Sequence, residues 1–139
     1  GFREYHALQD GWSASEHISF SSDQIVQAPS DIYIHIRNTN TYPYSNLFLV
    51  AELRDSIQVI VRDTLEYAMA DPQGKWLGAG FLEVKESKLW WKADWNPPHD
   101  GPYFIEFSQR VRNNGSGEGV SFLDGIINVG VSIEPQIQP

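Results

Sequence analysis

The sequence predicts an all-β domain, an antiparallel β-sandwich of the jelly-roll or immunoglobulin-like kind with about 7–8 strands. Three observations carry this. Apolar residues recur at every second position in run after run, turn formers separate the runs, and no window of about 11 residues or more shows a helical period. A closed barrel is the runner-up, and the Cys–Trp–Cys framework of antibody domains is absent.

The runs follow in order. Ile32, Ile34 and Ile36 alternate with Tyr33, His35 and Arg37, so one face is buried and one is wet. Leu47-Phe48-Leu49-Val50-Ala51 is apolar on both faces and suits a central strand. Ile57, Val59 and Val61 share a phase with Leu65, Tyr67 and Met69. Asp63 falls on that apolar phase, where a carboxylate needs partners. A bulge or break at Arg62-Asp63 that turns it outward is the favoured expectation, because one strand from 57 to 69 would be roughly twice the usual length. Ala79 and Phe81 begin a short run, and Leu89, Trp91 and Ala93 alternate with Trp90 and Lys92. Tyr103, Ile105 and Phe107 form the next, and Ile127, Val129, Val131 and Ile133 the last.

Loops are expected at 38–43 and 96–101, with a β-turn at Asp71-Pro72-Gln73-Gly74. Residues 113–119 read as a flexible, Gly-rich loop and 1–12 as an N-terminal tether region. Gly119 to Leu123 has room for one short turn. The 139 residues make one domain, 41% apolar, with five Trp, six Tyr and seven Phe, enough for a packed core.

Charge excludes several functions. Ten basic and 18 acidic residues give a formal net charge of −8, which repels phosphate backbones and anionic lipid surfaces. No Lys/Arg cluster offers a nucleic-acid footprint. No stretch is apolar enough for a membrane span. The opening Gly1-Phe2-Arg3-Glu4-Tyr5 is no signal peptide and reads as a mature or trimmed start.

Chemistry finds few anchors. With no Cys there is no disulfide, thiolate nucleophile or Cys-ligated zinc. His6, His17, His35 and His99 lie in no ligand spacing, and no Gly-x-Ser-x-Gly elbow occurs. Gly78-Ala79-Gly80 is followed by no helix and cradles no phosphate. Asp94, Asn96 and Asp100 faintly resemble a calcium loop, but Pro97-Pro98 spoils it and a plain polar loop is expected. No nucleophile, base and orienting group assemble, so no catalytic residue, metal or cofactor is predicted.

Aromatics remain. Trp91 and Trp95 share the apolar phase and belong to the core, whereas Trp90 points the other way beside Lys92. Tyr42 and Tyr44 flank Pro43 on a loop, and Trp76 shares a face with Gly78 and Gly80. These four rings, Tyr42, Tyr44, Trp76 and Trp90, are the candidate binding residues, for a sugar or a partner protein. Alternatively, Trp76 merely covers its own glycines.

The run Ile36 to Leu49, with Arg37-Asn38, Tyr42-Pro43-Tyr44 and Asn46-Leu47, resembles the signature of the gliding motility lipoprotein GldH family of Bacteroidetes. Further matches lie at Asp63 to Asp71, Gly74 to Gly80, Gly101-Pro102-Tyr103 through Gln109 to Arg112, and Leu123 to Ile126 with Asn128 to Glu134. Each is weak alone; the ordered set covers most of the chain. The resemblance implies an outer-membrane lipoprotein whose precursor carries an acylated Cys a few residues before Phe2. It also implies a scaffold or interaction role among envelope proteins of a gliding or secretion complex, with no catalytic or cofactor residues to carry over. A carbohydrate-binding module of a surface glycan system is the alternative.

Overall fold

Ten strands form among the described residues, because β-branched and aromatic residues alternate with polar ones along nearly every run. The structure, a computed structural model, describes residues 1–23, 25, 27–80, 83–113 and 117–136. The strands are β1 (Phe2–Ala7), β2 (Gly11–Ser13), β3 (Ile18–Ser22), β4 (Ser30–Asn38), β5 (Asn46–Arg54), β6 (Val59–Ala68), β7 (Lys85–Trp95), β8 (Tyr103–Gln109), β9 (Phe122–Asp124) and β10 (Ile126–Pro135). One antiparallel sheet has the order β1-β10-β4-β7 and another the order β3-β8-β5-β6, with β2 and β9 as a separate ribbon. Setting that ribbon aside and counting the longer strands alone, the two orders are first-eighth-third-sixth and second-seventh-fourth-fifth. This is jelly-roll connectivity, and it decides between the two expected sandwich types.

The core lies between the large sheets. Ile32, Ile34 and Ile36 of β4 and Val129, Val131 and Ile133 of β10 face Leu47, Leu49, Ala51 and Leu53 of β5 and Ile105 and Phe107 of β8. Trp91 joins them, its ring meeting Phe107 edge-on at 5.7 Å. Trp95 is half-buried and packs edge-on against Tyr103 at 5.1 Å.

Several expectations are corrected. Residues 1–12 are no free tether. Phe2–Ala7 pairs along β10, Gly11–Ser13 pairs with β9, and the Trp12 ring is 0% exposed. β3 also escaped the reading, although Ile18, Phe20 and Ser22 alternate inward with exposed Ser19 and Ser21. Ile57 belongs to the β5–β6 turn, 91% exposed, and not to a strand. Ala93 is exposed and Ile126, not Ile127, is buried, because register shifts in β7 and β10 break the strict period of two. Ala79 makes only an isolated bridge to Glu86, and Phe81 lies outside the described residues. Residues 114–116 of the expected loop at 113–119 lie outside them too. Its flanks meet, with Arg112 opposite Gly119 and Asn113 N–H donating to Glu118 O at 3.0 Å.

Asp63 departs most from expectation. β6 is unbroken there, Asp63 lies opposite Ala51, and the carboxylate points inward. The irregularity sits on β7, where a register shift at Trp91-Lys92 turns both side chains toward the other sheet. Asp63 Oδ2 accepts from Trp91 Nε1 at 2.9 Å and from Lys92 Nζ at 3.0 Å. Tyr67 adds a second tie from β6 to β7, its hydroxyl donating to Trp90 O at 2.8 Å. The two sheets are thereby joined along that side.

The ends of the sandwich differ. β10 pairs Ile126 with Asn38 and Pro135 with Ser30, so Gly1, next to Phe2 opposite Ile133, lies at the Ser30 end. The loops following Asn38, Ala68 and Gln109 lie at the other, about 30 Å away along a ten-residue strand.

Candidate functional site

The end far from Gly1 is knit from segments distant in sequence. Gly125 adopts a φ of +86°, and a Cβ there would stand 2.8 Å from Tyr42 Cα. Only glycine fits that corner without strain. It lets the β9–β10 corner pack on the β4–β5 loop, where Thr39 N–H donates to Gly125 O at 2.8 Å. Tyr42 is 2% exposed and its hydroxyl donates to Asn46 O at 2.6 Å. Burial pushes its phenol pKa up, with a smaller contribution from Tyr44. Tyr42 is thus a core residue and not an exposed ring.

Around it, Tyr44 lies edge-on at 5.9 Å and Trp76 is tilted at 6.1 Å. Both are half-buried. The Tyr44 hydroxyl donates to Asn113 Oδ1 at 3.0 Å, and Trp76 Nε1 to Asn40 Oδ1 at 3.2 Å. Trp76 therefore seals this loop cluster. The Gly78 backbone is closely packed, since a Cβ there would meet Ser87 Oγ at 2.8 Å and Glu86 O at 2.9 Å. The Asp71 turn forms as expected, Gly74 N–H donating to Asp71 O while Asp71 Oδ1 takes the Gln73 and Lys75 N–H groups.

Trp90 stands apart from these three. It is 55% exposed on the outward side of β7, in register with Tyr33. The four candidate rings therefore split three to one, and only Trp90 is openly exposed.

That outward side holds a dense polar network which sequence reasoning missed. Tyr5 of β1 reaches across Gly130 to donate to Glu86 Oε1 at 3.0 Å, with the Arg37 guanidinium 4.4 Å from its ring centre. Under Tyr5, His35 is buried, its ring 5.6 Å away. His35 Nε2 meets Ser132 Oγ at 2.7 Å, and Ser132 Oγ donates to Glu134 Oε2 at 2.8 Å. Because the serine proton goes to the carboxylate, His35 Nε2 must carry the donor hydrogen. The trio contains the residue types of a hydrolase triad with the bond polarity reversed, so the histidine is no base toward Ser132. Burial holds the His35 pKa below its ordinary value, helped by Arg3 and Lys88 and opposed by Glu86 and Glu134.

At the Gly1 end, Asp55 and His99 clasp the turn after β5 to the loop after β7. His99 Nε2 donates to Asp55 Oδ2 at 3.0 Å, and Gly101 N–H donates to Nδ1 at 3.1 Å. The bond from His99, with those from the Gln58 and Ile57 N–H groups, pulls the Asp55 pKa down to about 2. The His99 ring stacks on Tyr103 at 4.8 Å. In the Asp94–Asp100 loop, Asn96 Nδ2 donates to Asp94 O at 3.1 Å. Among the described residues, no three His, Asp or Glu converge to hold a metal.

The sequence profile of the GldH lipoprotein family matches residues 1–133. The chain belongs to this family. It is 41% identical over 134 residues to the gliding motility lipoprotein GldH homolog of Christiangramia forsetii, covering 96% of this chain and 82% of the relative. It is 35% identical over 134 residues to the gliding motility lipoprotein GldH of Flavobacterium johnsoniae, covering 96% and 83%. In this GldH-family chain, parts of four of the segments that carry the resemblance meet in space. The Tyr42 loop, Trp76, the approach to Asn113 and the Gly125 corner lie in the knot far from Gly1, whereas Gly101 and Tyr103 lie with His99 at the Gly1 end and Asn128 to Glu134 runs along β10 towards it.

Proposed function

We propose that this GldH-family domain is a non-catalytic, lipid-anchored envelope protein of the outer membrane. It serves as a scaffold or interaction component of a gliding or secretion machinery. The observation that supports this is the meeting of parts of four signature segments, the Tyr42 loop, Trp76, the approach to Asn113 and the Gly125 corner, at the end of the sandwich opposite Gly1. An acylated Cys upstream of Phe2 holds the Gly1 end at the membrane and presents the other end to partners. Several acyl chains anchor stably where one is marginal. The reversed polarity of the His35–Ser132–Glu134 trio supports a role without chemistry. The burial of Tyr42 within its cluster and the separation of Trp90 from the other three rings weigh against a sugar platform.

Affinity capture of the acylated protein from envelope extracts in mild detergent should recover defined protein partners. Crosslinks should map to the end bearing Tyr44 and Trp76. Recovery of no partner, or crosslinks confined to the Gly1 end, would sink the reading.

A further inference from the structure

The outward side of the β3-β8-β5-β6 sheet carries an apolar floor beside two arginines that face no carboxylate among the described residues. Leu47, Leu49 and Ala51 take the core side of β5, so Phe48 and Val50 face out. Val50 lies between Ser108 and Thr64 in register. Past Gln109 the chain stays bound to β5, Arg110 N–H donating to Phe48 O at 2.7 Å, which brings both Arg110 and Arg112 beside Phe48. A hollow of about 390 Å³ is lined by Phe48, Val50, Thr64, Arg110 and Arg112. A second, of about 250 Å³, shares Phe48 and Arg112 and extends to Tyr44.

In a chain of net charge −8, a bare arginine is unexpected. Arg3, Arg37 and Arg62 each face a carboxylate, and Arg54, which makes no ion pair among the described residues, lies over the Phe104 ring at 5.6 Å. Arg110 and Arg112 make no ion pair among the described residues. Arg110 Nη1 gives one bond to Gln109 O at 3.1 Å, and Arg112 Nη1 one to Gly117 O. Glu66, opposite Phe48, accepts instead from the Asn46 amide at 2.7 Å. A guanidinium has five N–H donors, so most remain for a ligand, and arginine forks match carboxylates.

We infer that Phe48, Val50, Arg110 and Arg112 form a docking surface for an acidic peptide segment of a partner protein. A carboxylate sits between the guanidiniums and the neighbouring apolar side chain on the Phe48–Val50 floor. This deepens the scaffold reading, on which it rests, by naming the surface and the chemistry of its partner. A lipid headgroup is disfavoured because the patch lies at the end away from Gly1 and the domain's net charge repels anionic membranes.

The test is an NMR titration of the 139-residue chain with blocked peptides in which Asp alternates with Leu or Phe, against the same peptides with Asn for Asp. Saturable shifts should centre on Phe48, Val50 and Thr64, and the Asn peptides should bind at least about tenfold more weakly. The double variant Arg110→Gln/Arg112→Gln should lose about as much. Thr64→Glu, which adds a carboxylate at the rim of the hollow, should lose binding while melting as the wild type does. No shift at millimolar peptide, equal binding of the Asn peptides, or shifts elsewhere would overturn the inference. So would arginine-dependent sedimentation with phosphatidylglycerol vesicles at equal or higher affinity. If Thr64→Glu still captures the partners that the wild type captures, the scaffold stands and this surface falls.

Discussion

At the scale of single residues, the inward carboxylate of Asp63 shows how a broken pattern is made good. The apolar rhythm around Val61 and Leu65 was plain in the sequence, and so was the anomaly at Asp63. Its solution was not legible, because the partners Trp91 and Lys92 arrive from another sheet through a register shift that no local pattern announces. Burial raises the Asp63 pKa, but the Trp91 and Lys92 bonds outweigh it and the net shift is downward. Asp63→Ala should cost about 1–2 kcal/mol, since the indole N–H of buried Trp91 loses its acceptor. Asp63→Asn keeps an acceptor and should cost roughly half as much. Urea midpoints of the two variants check this; equal losses would show that the carbonyl-like acceptor is not what matters. The four candidate rings stand out in the sequence by flanking proline, breaking phase or sharing a face with glycines, yet Tyr42 is core. Exposure depends on the Gly125 corner closing over the loop, a contact between residues far apart in sequence.

Among elements, the alternating runs of β4, β5, β8 and β10 were readable because each buries one face against a single core. β1 was not, since its side chains are largely exposed and its place is fixed by backbone pairing to β10. β2 and β9, three residues each, are too short to show a period. Their value lies in the corner that follows β9. Gly125→Ala must force a side chain into a left-handed turn and against Tyr42. A loss on the order of 3 kcal/mol, or roughly 10 °C in Tm, is expected. Calorimetry would measure it, and a change under about 2 °C would mean that the corner yields without cost. The aromatic knot should loosen with it, visible as a red-shifted Trp76 emission.

For the whole molecule, acid is the informative stress. Asp55 is held at about 2, and Asp63 and Glu134 also lie below their ordinary values. For Glu134, burial pushes upward but the bonds from Ser132 and Lys88 prevail. Carboxylates lowered in the folded state contribute stability above the unfolded pKa, near 4, and lose it as pH falls toward the folded values. His35 has the same sign at higher pH. Its folded pKa is lowered, so its contribution is complete above about 6.5 and is lost on acidification, because the unfolded chain takes up the proton first. Urea midpoints should therefore be level above about pH 7, fall once pH drops below about 6.5, and fall again below about 4. His35→Gln, which keeps a donor for Ser132, should shrink the first step and leave the second. A first step of the same size in the variant would assign it to another group.

The direction of β1 carries a mechanical consequence. Tension between an anchor at Gly1 and a load at the opposite end runs along the strand, while the bonds of Phe2–Ala7 to β10 lie across it. All of them are strained together in shear instead of peeling open in turn. An edge strand in that orientation resists a steady pull far better than its length suggests.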